Sequence, residues 1–176
     1  ALGATSQISQ LNTAVVSAGA LNVTTGGSFA DLSFANNAVS KLGASDLGTT
    51  GNLFLLNTGP LTVTGTVKAA NITLNTSGPL AINGALTAQA AASSLVQLTT
   101  TGAGSSITQN SSGVITTNTL KLNTNSGNAT LNGTTNVITN LDAVALGTGA
   151  LNLLDAGGLA ITGAVTAGGG VTLNTS

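Results

Sequence analysis

The chain has 176 residues with three lysines, four aspartates, no arginine, glutamate or histidine, and a formal net charge of −1. Such a chain has no basic patch to meet a phosphate backbone, and nucleic acid is excluded as an expected partner. Cysteine is absent and three phenylalanines are the only aromatics. That removes disulfide and thiolate metal chemistry and leaves no Trp or Tyr platform for sugars or bases.

The first residues, ALGATSQI, show neither an initiator methionine nor a charged segment followed by an apolar one, as a secretory leader would. The last, LNTS, repeat a phrase that runs on into Gly78 at its earlier occurrence. Residues 1–176 are therefore expected to be a single segment from the interior of a longer repetitive chain. Neither ALGATSQISQL nor GGGVTLNTS carries a charge or proline, so both ends are expected to be uncapped and to stack on neighbouring repeats or identical chains. Apolar residues never form the long run a membrane-spanning helix needs, and aromatic girdles of a membrane barrel are missing, so no membrane span is expected.

From Asn37 the pattern becomes regular. In PLTVTGTV, Leu61, Val63 and Val67 alternate with Thr62, Thr64 and Thr66, with Gly65 at a bend; LAITGAV from Leu159 repeats the phrase. The stretch 88–98, AQAAASSLVQL, contains an alanine run that favours helix, but its place in the repeat argues for a strand of small side chains at a tight corner. In LKLNT, Lys121 is placed outward between two inward leucines. No segment carries a sustained apolar stripe at helical spacing, so essentially no helix is expected.

Two repeats organise these strands. Leu-x-Thr followed by glycine occurs at Leu74, Leu98, Leu122 and Leu146, each leucine 24 residues after the last. A longer echo aligns residues from Asn37 with those from Asn136, an offset of 99, close to four such units. Short strands that cannot bury their own apolar sides, recurring at this period, describe an all-β parallel β-solenoid (a β-helix) with roughly 24-residue coils. About seven coils, ~4.8 Å apart, make a rod on the order of 35 Å. The expected ladders are an interior column of Leu74, Leu98, Leu122 and Leu146. Beside it stands a turn column of Thr76, Thr100, Thr124 and Thr148, whose hydroxyls bond along the stack. Asn57, Asn75, Asn123 and Asn174 are placed to cap corners, and Gly78, Gly102, Gly127 and Gly149 to supply backbone freedom.

Phrases such as LTVTGTVKAANITLNTS and ITGAVTAGGGVTLNTS resemble the repeats of filamentous-haemagglutinin-like and autotransporter adhesins, from about Asn37 onward and more loosely before it. That resemblance implies a right-handed β-solenoid passenger, export to a bacterial cell surface or the extracellular space, and a role in adhesion, biofilm matrix or filament formation. It supplies no catalytic residues.

Candidate chemistry is sparse. Asp31, Asp46, Asp142 and Asp155 are the only side-chain carboxylates. With no His or Arg to partner them they read as solvated turn residues, so neither catalysis nor a cofactor is expected. In the long echo Asp155 aligns with Asn57, Asp46 with Ala145 and Asp142 with Gly43, which places them apart. The calcium-binding G-G-x-G-x-D nonapeptide is absent, and no metal is expected. Sequons at Asn22, Asn71 and Asn128 follow from the abundance of Asn and Thr, and the Thr62-x-Thr64-x-Thr66 array is broken in the next coil by Ala81, Asn83 and Ala85. The function expected is a non-enzymatic stalk or filament body. The alternatives are a self-assembling matrix fibre and a solenoid face that binds a glycan or host surface.

Overall fold

The computed structural model describes all 176 residues apart from the side chain of Ala91. It is an all-β solenoid of about eight coils with essentially no helix. Every strand pairing among the described residues is parallel, as stacking of successive coils requires.

Three stacks of strands form the sides. The first side runs through Leu2–Ala4, Val23–Thr25, Ser45–Asp46, Val67–Ala69 and Ala85–Ala88 to the start of Val114–Thr124. The second runs through Ile8–Ser9, the start of Ala30–Val39, Asn52–Asn57, Asn71–Thr76 and Leu95–Thr100 to the far half of Val114–Thr124, and on to Val137–Ala145. Because Val114–Thr124 turns the corner without a break, these two sides belong to one 15-stranded sheet. The third side is a separate 7-stranded sheet of Lys41–Leu42, Leu61–Val63, Leu80–Ile82, Ile107–Gln109, Ala129–Leu131, Leu151–Asp155 and Val171–Thr175.

The alternation read from the sequence sets which residues point inward. Leu61, Val63 and Val67 are buried, as are Leu120 and Leu122 on either side of Lys121. On the second side Ile8, Ala30, Leu53, Ile72, Val96, Leu120, Leu141 and Ile161 stand in direct register and form one apolar ladder through eight layers. Each fully buried Leu, Ile or Val contributes on the order of 1.5 to 3 kcal/mol of transfer free energy. Circular dichroism should accordingly show a single β-type minimum; a helical double minimum would contradict the fold.

Coil length is where the structure departs from the 24-residue expectation. In-register residues are separated by 19 positions from Leu53 to Ile72 and by 29 from Leu86 to Ile115. Strands keep their register while corners absorb the difference. In the longest coil the surplus lies in a single 3-10 turn at Ala91–Ser93 and in turns closed by Ser105 N–H to Gly102 C=O and Gly113 N–H to Asn110 C=O. The alanine run therefore makes a corner, as expected, but by a 3-10 turn, with the strand starting at Leu95.

The 99-residue echo is likewise more than four coils. Four steps up the stack carry Val23 through Ser45, Val67 and Leu86 to Ile115, 92 residues on. The repeat partner of Val23 is Leu122, 7 residues further, beyond a corner. The second copy thus stacks on the first out of phase. Ala30 lies on the second side, and its partner Ala129 on the third.

Candidate functional site

Three of the four ladder leucines stand as expected: Leu74 pairs with Leu98, and Leu98 with Leu122. The fourth rung is Val144, not Leu146. The coil from Leu120 to Leu141 is 21 residues long, and a bulge then pairs Leu122 with Val144, so the register slips before Leu146 is reached. Ala145 lies opposite Asn123, which brings Leu146 level with Thr124; it is still fully buried. Thr148 falls outside the threonine column and is exposed.

The threonine column itself is Thr76, Thr100 and Thr124, all buried and in register. Their hydroxyls do not bond along the stack as expected. Each turns down into its own corner, Thr76 to Gly78 C=O (2.6 Å), Thr100 to Ser105 C=O (2.6 Å) and Thr124 to Gly127 C=O (2.5 Å). The backbone ladder already uses the groups up and down the axis, whereas turn carbonyls have no strand partner.

The four corner glycines are needed for a different reason than backbone freedom: none of Gly78, Gly102, Gly127 and Gly149 has a positive φ. A Cβ on Gly127 would lie 2.0 Å from Ser105 C=O of the adjoining coil, and one on Gly149 2.0 Å from Gly127 C=O. Close stacking of backbones at this corner excludes any side chain.

Below Thr76 the same column continues inward through Asn57 and Asn37, so Asn57 is a rung of the threonine column. Asn75 lies opposite Leu56, one step out of phase, while Asn123 and Asn174 are exposed. Asn37 is fully buried. Its Oδ1 accepts from Gln10 Nε2 (2.6 Å) and Val16 N–H (2.8 Å), and its Nδ2 donates to Leu32 C=O (2.8 Å) and Leu56 C=O (3.0 Å). Asn57 Oδ1 accepts from Val39 N–H at 2.7 Å.

An equivalent column occupies the second repeat, 99 residues on. Asn136 Oδ1 accepts from Gln109 Nε2 (2.7 Å) and Ile115 N–H (2.8 Å), and its Nδ2 donates to Gln109 Oε1 (3.0 Å) and Leu154 C=O (2.9 Å). Gln109 is an amide in an otherwise aliphatic ladder of Val63, Ile82, Leu131 and Leu153. Asp155 takes the place of Asn57. Its Oδ1 accepts from Ile138 N–H (2.9 Å) and its Oδ2 from Gly157 N–H (3.0 Å). Each repeat therefore builds Gln, Asn, and Asn or Asp into one buried corner, Gln10, Asn37, Asn57 and Gln109, Asn136, Asp155; buried Thr76 continues the first column, whereas Thr175, the next rung beyond Asp155, is exposed.

This corrects the reading of Asp155 as a solvated turn residue, since it is 0% exposed and its oxygens replace missing ladder partners. The sequence signal was a Gln and an Asn 27 residues apart, present twice at the 99-residue offset. The other carboxylates lie nearer the surface. Asp31 holds Ser33 N–H and Asp46 holds Gly48 N–H. Asp142 pairs with Lys121 at 3.0 Å across the bulge. Among the described residues no three acidic side chains come together. Two of the sequon asparagines hold coils together, Asn71 by accepting from Leu95 N–H and Asn128 from Ala150 N–H.

On the outside, a shallow depression of about 250 Å3 on the first side is lined by Thr24, Ala44, Ser45, Asp46, Thr66 and Lys68. No helix among the described residues is long and apolar enough to cross a membrane. No protein family, curated protein or solved structure matches the chain.

Proposed function

We propose that the chain is a structural, non-enzymatic rod segment of an exported bacterial surface protein of the filamentous-haemagglutinin-like kind, acting as a stalk or filament body outside the cell. The observation that carries this reading is where the polar chemistry goes. The amide, carboxyl and hydroxyl groups of both corner columns are turned inward and spent on backbone groups that the ladder leaves unpaired. Buried amides of this kind fix register, because a coil slipped by one residue would strand them without partners. A stack whose register is locked at one corner of every repeat transmits load along its axis through parallel backbone ladders. Adjoining repeats or identical chains are its partners in this reading.

The location is testable on the source bacterium. Antibody raised against residues 1–176 should decorate intact cells or shed filaments in immunogold micrographs. Labelling that requires permeabilised cells would overturn the surface assignment.

A further inference from the structure

The two repeats share a scaffold but differ sharply at one outward surface. Ile8 N–H bonds Phe29 C=O in the first repeat just as Ile107 N–H bonds Asn128 C=O in the second. Phe54 stands opposite Asp31 as Asn152 stands opposite Thr130. Leu11 follows Gln10 where Asn110 follows Gln109, and the corner bulge 33–36 carries Phe34 where 132–135 is Asn-Gly-Thr-Thr. At each of these outward positions a polar residue or glycine in the second repeat is matched by a large apolar one in the first. The solenoid does not require them, because the second copy folds the same way without them.

Register places these residues on the second side and at the corner that follows it. Gln10 binds Asn37, Ala14 C=O and Ala35 N–H, which lays the turn bearing Leu11 and Val15 on the bulge bearing Phe34. Phe29 and Phe54 project from neighbouring rungs of the second side. All three aromatic rings of the chain are thus gathered in its first three coils. Leu11, Val15, Phe29 and Phe34 expose 76, 58, 38 and 52% of their surface. For side chains of this size that is about 400 Å2 of apolar area.

We infer that this patch docks a neutral oligosaccharide. Its area is about half of the roughly 800 Å2 that each partner of a stable protein complex buries, which argues against a second copy as occupant. Its charge argues against an anionic ligand or a phospholipid surface: along the outward column Ser9, Asp31, Phe54, Thr73, Gln97, Lys121 the first cation stands three rungs, about 14 Å, from Phe54 at the spacing of a parallel stack, and Lys41 belongs to the third side. The rim offers Asp31, Asn12, Asn36 and Ser33, the carboxylate, amide and hydroxyl groups that bind sugar hydroxyls. A pyranose face presents weakly positive C–H groups, which the negative face of a phenyl ring attracts. The inference is independent of the rod reading.

With no Trp, Tyr or His in the chain, the aromatic region of its proton NMR spectrum reports Phe29, Phe34 and Phe54 alone. Titration with cellotetraose, chitotetraose and maltotetraose should move these ring signals saturably for at least one sugar. Phe54→Asn combined with Phe34→Ala should weaken that affinity about tenfold or more while leaving the amide spectrum folded. Placing Asn152→Phe in the second repeat, at an exposed position, should create a new ring signal that shifts with the same sugar. Rings unmoved by all three sugars overturn the inference. So do rings that respond instead to protein concentration, which would assign the patch to a second copy, or only to phosphatidylcholine vesicles, which would assign it to lipid.

Discussion

Leu98→Ala, or equally Leu122→Ala, is expected to lower the free energy of unfolding by about 2 to 5 kcal/mol, whereas Lys121→Ala should cost about 1 kcal/mol or less. Both leucines are buried between rungs above and below, Leu74 and Leu122 around Leu98, Leu98 and Val144 around Leu122. Neighbouring coils are held by backbone ladders and cannot close on the cavity, which favours the upper part of the range. Lys121 lies between two core leucines in sequence, but it points out and holds only a partly exposed ion pair with Asp142. Urea denaturation of the three variants measures the difference. Equal losses at Leu122 and Lys121 would mean that the inside and outside of this strand are wrongly assigned.

The second large effect lies at the corner. Asn136→Ala removes four hydrogen bonds and leaves Ile115 N–H, Leu154 C=O and Gln109 Nε2 without their partner, while Gln109 Oε1 keeps Gly133 N–H. An unsatisfied buried polar group costs about 1 to 3 kcal/mol, and allowing for some relaxation the total is expected at roughly 3 to 5 kcal/mol. Asn37→Ala should behave alike, since it strands Val16 N–H, Leu32 C=O and Leu56 C=O in the first repeat. Asn125 is the control: it is exposed and makes a single bond to Thr101 C=O, so its replacement should cost about 1 kcal/mol or less. If Asn136→Ala and Asn125→Ala unfold at the same urea concentration, the corner columns do not lock the register.

The comparison of Leu98 with Leu146 shows what the sequence reveals of this fold. Alternation within a strand is a local rule, and it placed Leu61, Val63, Val67 and Leu120 correctly because a pleated strand has no other way to separate its two faces. Stacking is not local. The spacing of 24 residues holds from Leu74 to Leu122, where two successive coils have equal totals although their corners differ in length, and fails at Leu146, where a shorter coil and a bulge intervene. Corners add or drop residues without disturbing the ladders, so a repeated phrase does not guarantee a repeated position.

Asp155 illustrates the complementary failure. In a chain with so few charges, a carboxylate beside two glycines reads as a turn facing water. The alignment with Asn57 pointed the other way, because Asn and Asp share one acceptor oxygen and that oxygen is what Val39 N–H and Ile138 N–H require. The exposed phenylalanines were visible as letters, but their outward placement beside one another depends on the bulge at 33–36, which no periodicity marks.

The out-of-phase stacking of the two copies has a consequence for what the molecule presents. Phe54 faces outward from the second side, whereas its counterpart Asn152 faces outward from the third. Matching positions of the two copies therefore look in different directions. Whatever approaches one flank meets the outward residues of a single copy, so the duplication gives the rod two unlike flanks in place of one doubled face.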